Sequence, residues 1–172
     1  MQPGSNDDLR KAYRITAIIG LAMIASLIVY AVVVELIKKQ NAPFGGYSPL
    51  PPDVLSTLRY ALLGVAAVEF FVIRLLNTLT LSGKVPLRSS PTTVQFAPEA
   101  QRLVSASVVT YALCESVAIY GLVLFLIQGN SNDFYLFLVL SLLYFSIYFP
   151  KYGAWEEWIA EREREQARRP QP

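Results

Sequence analysis

The sequence predicts an all-α polytopic membrane protein, with four transmembrane helices and a short interfacial helix at the C-terminus. Three observations predict it. Of the 172 residues, 53% are hydrophobic and only 16% are charged, a balance outside the range of ordinary soluble domains. Four largely apolar runs, at about 14–37, 54–81, 98–127 and 134–152, reach or approach the roughly 20 residues that cross ~30 Å of hydrocarbon. The segments between them carry the Pro, Gly, Asn and Ser that end helices. Residues 1–172 therefore form a single membrane domain, with a charged amphipathic tail at 153–172.

Taken in order, residues 1–13 are a polar lead-in, expected to fray at its start. Arg10, Lys11 and Arg14 precede the first apolar run, which is too long for a signal h-region and lacks a clear small-residue cleavage site. It reads as an uncleaved span. Glu35 lies three and four residues before Lys38 and Lys39, the spacing of an interfacial ion pair. Pro43, Gly45, Gly46, Pro49, Pro51 and Pro52 make 40–53 a loop, and Asp53 is expected to cap span two. A second loop follows at 82–97, punctuated by Pro86 and Pro91, with a short extended piece expected at 92–96. Pro98 and Glu99 suit the first turn of span three. After a polar turn at 128–133, Asp133 is expected to cap span four. That helix is expected to run past Pro150 with a kink, placing Tyr152, Trp155 and Trp158 in an interfacial aromatic belt. Opposite charges three and four residues apart support a solvated helix in the tail, fraying before Pro170.

Lys and Arg placement predicts orientation. Arg10, Lys11 and Arg14 precede span one; Lys84, Arg88 and Arg102 lie between spans two and three; Lys151, Arg162, Arg164, Arg168 and Arg169 follow span four. The other side has mainly Lys38 and Lys39, with Arg59 just inside span two. The positive-inside rule puts both termini in the cytoplasm of a bacterial inner membrane, and an even number of spans requires the termini to share a side.

Composition also excludes. A net charge of +2 with no basic patch argues against nucleic-acid binding. The absence of His and the single Cys114 leave no His- or Cys-based metal site and no intrachain disulfide. No recognisable catalytic constellation is present, so the chain reads as non-enzymatic, with no catalytic residue, cofactor or metal.

What stands out is charge inside the spans. Glu69 in span two and Glu115 in span three fall at similar depth, because consecutive spans are antiparallel. Arg74 lies five residues beyond Glu69, about 7.5 Å along the axis. An ionisable group at mid-membrane costs about 2.5–3.5 kcal/mol on insertion scales. The expected arrangement pairs one Glu with Arg74 and leaves the other neutral and hydrogen-bonded. Two roles compete for these residues: buried polar contacts holding the bundle, or binding of a proton or cation. Span three also has a small-residue side, with Ser107, Cys114, Ala118 and Gly121 around Tyr111, on which another helix can close in. Cys114 reads as a small packing residue. Tyr30, Tyr60, Tyr111 and Tyr120 read as packing residues with one hydrogen bond each. An offset of 90 residues aligns Ala22 with Ala112, Ser26 with Ser116, Tyr30 with Tyr120 and Leu36-Ile37 with Leu126-Ile127, a weak sign of a duplicated hairpin.

The run Ala112-Leu113-Cys114-Glu115-Ser116-Val117-Ala118-Ile119-Tyr120-Gly121-Leu122-Val123 resembles the carboxylate-bearing helix of the proteolipid (c) subunit of rotary ATP synthases. In that family a mid-membrane Glu or Asp precedes an Ile-Tyr-Gly-Leu-Val-like segment, and the helix starts near a Pro and an acidic residue, here Pro98-Glu99. The resemblance covers residues 98–127; it implies that Glu115 is an ion-carrying acid, with Glu69 and Arg74 as neighbours. The glycine-rich partner helix of that family has no counterpart in span two, and spans one and four have none in a two-helix subunit. The first expectation is therefore a structural or accessory component of a membrane assembly. It would be embedded in the lipid bilayer as a homo-oligomer or beside other membrane subunits. Proteolipid-like proton or cation binding through Glu115 is the alternative.

Overall fold

The structure, a computed structural model, describes residues 3–48, 50–81 and 98–168. The extended piece expected at 92–96 and the end of the tail near Pro170 lie outside the described residues. Five helices follow in order: α1 (Pro3–Gln40), α2 (Pro52–Leu81), α3 (Pro98–Gln128), α4 (Ser131–Tyr148) and α5 (Tyr152–Arg168). The first four are long and apolar enough to span a membrane, and α5 is the short C-terminal helix.

α3 is the central helix. It packs most extensively on α4, then on α1, then on α2, whereas α1 and α2 scarcely touch. The small-residue side of α3 explains the first of these contacts. Cys114, Ala118 and Gly121 are all buried, and a Cβ added at Gly121 would lie 2.7 Å from Phe137 Cβ and 3.0 Å from Phe134 O. Ser141 Oγ of α4 donates to Cys114 O at 2.6 Å. In a bilayer, where burial against lipid gains little, such close backbone approach and its dispersion contacts hold helices together. Tyr144 and Tyr148 of α4 reach across to donate to Ala66 O and Phe70 O of α2, at 2.9 and 3.1 Å. Leu27, Ala66, Ile73, Tyr111, Val117 and Phe145 fill the space between the helices.

Several ends differ from the sequence expectation. The lead-in is helical from Pro3, because Leu9 and Ala12 are buried with Ala100, Leu103 and Trp155. Tyr13 stacks edge-on against Tyr152 and Trp155, at 5.2 and 5.6 Å between ring centroids. Trp155 therefore faces protein rather than an aromatic belt at the headgroups. α4 stops at Tyr148 instead of kinking through Pro150: Phe149 is extended (φ −63°, ψ 125°), as the residue before a proline prefers, and α5 starts afresh at Tyr152. Asp53 lies inside the first turn of α2, which Pro52 opens, so it is not the cap.

Asp133 is not the cap of α4 either. Asn130 takes that place, its side chain accepting from Asn132 N, and its Nδ2 donates to Asp133 Oδ2 at 3.2 Å. Asp133 instead pairs with Arg59 of α2, Nε to Oδ1 3.2 Å, with its side chain 4% exposed against 42% for Arg59. That asymmetry sets a prediction. Arg59→Leu strands a buried carboxylate and should destabilise the bundle by about 3 kcal/mol. Asp133→Asn leaves Arg59 free to reach solvent and keeps a polar partner for Asn130, so it should cost less than about 1 kcal/mol. Unfolding of the purified protein in mixed detergent measures both, and equal losses would overturn the asymmetry.

The first loop and the end of α3 interlock. Gly129 (φ +78°) ends α3 and donates from its N–H to Phe125 O at 2.7 Å. Tyr47 N and Ser48 N donate to Leu126 O and Ile127 O, at 2.8 and 3.3 Å, supplying partners that the last turn of a helix lacks. Gly46 (φ +86°) lies directly against this turn, where a Cβ would come 2.1 Å from Ile127 O.

Candidate functional site, a belt of carboxylates and hydroxyls

The two intramembrane acids occupy two separate cradles of the same design. Glu115 projects from α3 towards α1, where its Oε1 lies 2.5 Å from Ser26 Oγ and accepts from Tyr30 Oη at 2.7 Å. Glu69 projects from α2 towards α3, where its Oε1 accepts from Ser116 Oγ at 3.1 Å and from Tyr120 Oη at 2.5 Å. Both carboxylates are half-buried. In each case the donors are a Ser and a Tyr four residues on, one helical turn apart and so on one face. The two donor pairs are related by the 90-residue offset noted in the sequence, so its weak repeat has a counterpart in the contacts. α3 plays both parts, presenting a carboxylate to α1 and a cradle to α2. Six side chains, Ser26, Tyr30, Glu115, Ser116, Tyr120 and Glu69, thus form a polar belt across three helices.

In both cradles the serine has a second acceptor beside its acid. Ser26 Oγ also lies 2.6 Å from Met23 O, the i−3 carbonyl. A serine hydroxyl has one proton, and both neighbours are acceptors when the carboxyl is ionised. Ser26 Oγ can give its proton to Met23 O or to Glu115, and Tyr30 Oη donates to the same carboxylate oxygen. Ser116 has the same choice between Leu113 O at 2.7 Å and Glu69, but its carboxylate contacts of 3.1 and 3.2 Å are longer. Each acid thus has one contact of 2.5 Å, to Ser26 for Glu115 and to Tyr120 for Glu69.

The expected pairing with Arg74 is not formed. Arg74 is exposed and makes no ion pair with either Glu among the described residues. Its Cα lies on the turn beyond Glu69, and hydroxyls on α1 and α3 already hold the carboxylates. The tyrosines divide too. Tyr30 and Tyr120 make the hydrogen bonds expected of them, Tyr60 is exposed, and the buried Tyr111 hydroxyl has no hydrogen-bond partner among the described residues. Cys114 is buried and free, as a packing residue should be. Glu35 bonds Lys38 at 2.9 Å as expected, and Tyr135 Oη adds a contact of 2.6 Å from α4 that the sequence did not suggest. Among the described residues no group of three or more acidic or Cys side chains is placed to hold a metal.

The cradles make a testable difference between amide and hydrocarbon. Glu115→Gln keeps an acceptor for Tyr30 and should cost under about 1 kcal/mol, whereas Glu115→Leu orphans the Tyr30 hydroxyl and should cost about 1–2 kcal/mol. Detergent unfolding of the two variants checks this, and equal stabilities would remove the cradle from the list of structural contacts.

No family model matches the chain, nor does any curated protein or solved structure. The resemblance around Glu115 rests on the residues alone.

Proposed function

We propose that this chain is a non-enzymatic accessory subunit of a membrane assembly, oriented with both termini in the cytoplasm of a bacterial inner membrane. Arg74 carries this reading. It is exposed on α2, about 10.5 Å along the axis from the helix end at Leu81, and flanked by the exposed Phe71, Val72 and Leu75. A guanidinium keeps its charge, and on an apolar face it needs either headgroups or an acid from another subunit. α2 suits such a contact, since among its described side chains only Ala66 and Ile73 are fully buried and its outer side is apolar. The orientation is supported by the distribution of Lys and Arg.

Arg74→Leu should release the chain from a larger species when membranes are solubilised in mild detergent and separated on native gels. Arg74→Lys, which snorkels equally well but lacks the planar fork, should release it in part. A monomeric wild type, or identical migration of all three proteins, would defeat the accessory reading.

One observation favours a second reading, proton or cation binding at Glu115. It is that the half-buried Glu115 is met by the neutral hydroxyls of Ser26 and Tyr30 and by no ion-pair partner among the described residues. Dicyclohexylcarbodiimide reacts with protonated acids in apolar surroundings. On this reading Glu115 labels in a pH-dependent way, and Glu115→Gln abolishes any ion-coupled activity of the assembly while the fold survives. Unlabelled Glu115 in an otherwise intact protein would leave only the structural cradle.

A further inference from the structure

The end of the bundle that carries both termini contains a cavity of about 470 Å³ between α3, α4 and α5, within the size range of small-ligand sites. Its inner wall is apolar: Leu103 and Ala106 of α3, Ile147 at the end of α4, and Phe149 beyond it. Asn77 and Thr110 add polar atoms beside that wall, with Thr110 Oγ1 donating to Asn77 Oδ1 at 3.4 Å. The outer rim is charged and comes from α5 and the link before it. Ala154, Glu157, Trp158 and Glu161 fall at i, i+3, i+4 and i+7, so one stripe of α5 faces the cavity. The neighbouring stripe holds Trp155, buried against Leu9, Ala12 and Leu103. α5 is thereby fixed in rotation. Lys151 completes the rim. Lys151, Glu157 and Glu161 are exposed, and none of them is in an ion pair among the described residues.

We propose that this cavity binds the headgroup of a phospholipid bearing a primary amine, of the phosphatidylethanolamine class. The charge order fits. Two carboxylates one turn apart can share the three N–H donors of an ammonium, and Lys151 meets the phosphate as a point charge. The Trp158 ring adds an aromatic surface of the kind that attracts cations. The inner wall of Leu103, Ala106, Ile147 and Phe149 offers an apolar surface on which the start of an acyl chain can lie. The rim also discriminates. A quaternary ammonium has no N–H to give Glu157 and Glu161. An anionic glycerol headgroup brings no cation to them. This site is independent of Arg74 and of the carboxylate belt.

The test is native mass spectrometry of the full-length protein in detergent, titrated separately with phosphatidylethanolamine, phosphatidylcholine and phosphatidylglycerol of identical acyl chains. The amine lipid should be retained at least about fivefold better than the other two. Glu157→Gln combined with Glu161→Gln should reduce it to the phosphatidylcholine level, and Lys151→Ala should weaken both zwitterionic lipids alike. These side chains are exposed, and unchanged circular dichroism confirms that the variants fold. Equal retention of the three lipids, preference for phosphatidylglycerol, or an amine preference that survives the double substitution would overturn the proposal. Displacement of the lipid by equimolar free phosphoethanolamine would overturn it too, since the apolar wall would then contribute nothing.

Discussion

Gly121→Leu should separate α3 from α4 and destabilise the protein by about 3 kcal/mol or more. The position has no room for a side chain: a Cβ alone would press on Phe137 Cβ at 2.7 Å and on the Phe134 backbone at 3.0 and 3.1 Å. Backbone cannot swing aside as a flexible side chain does, so relief requires the whole helix to move. That movement would also lengthen the 2.6 Å bond from Ser141 to Cys114 O and pull Tyr144 and Tyr148 away from α2. Gly121→Ala should show the same effect at about 1–2 kcal/mol. The midpoint of unfolding in increasing sodium dodecyl sulfate measures both, with thiol accessibility of the buried Cys114 as a second reading of the same interface. A leucine variant with wild-type stability and a protected Cys114 would show that the close approach is not required.

The second large effect is expected at Gly129→Val. Its φ of +78° places it in the left-handed region, costly for any residue with a Cβ and worst for a β-branched one. The added atom would also lie 2.3 Å from Phe44 O and 2.8 Å from Gly46 N. Strain and collision together should cost about 3 kcal/mol or more. Gly46→Val meets the same obstacle from the other side, with Ile127 O at 2.1 Å. Because both substitutions open the same contact, the double variant should lose clearly less stability than the sum of the single ones. Additive losses in the same detergent titration would mean that the two glycines act separately.

Spans, loops and their chemistry were legible because they depend on residue type. Length and hydropathy place the four spans, and the small residues Cys114, Ala118 and Gly121 mark the face where α4 lies. Rotation about each axis was much less legible. α3 is apolar on nearly every side, so periodicity supplies no phase and does not say whether Glu115 meets Arg74 or α1. The signal that could have decided it was the recurrence of Ser and Tyr at a spacing of four, once on α1 and once on α3, each facing a single acid. Cap positions failed for a related reason. Asp53 and Asp133 are good caps in isolation, but Pro52 already opens α2, and Arg59 draws Asp133 inside α4. The packing of the first turns of α1 on Trp155 was hidden too, since a polar stretch with two buried residues, Leu9 and Ala12, looks like a solvated end.

That α1 and α2 are neighbours in sequence but scarcely touch in space has a consequence for biogenesis. A newly inserted α1–α2 hairpin has almost nothing to hold it together. Ser26 and Tyr30 wait for an acid encoded 89 and 85 residues later, respectively, and the first loop waits for the end of α3 to lend it carbonyls. α3 must enter between helices already in the bilayer, and α4 then closes on its small-residue side. Until that moment Tyr30 lies in its helix without the acid that it bonds in the folded chain.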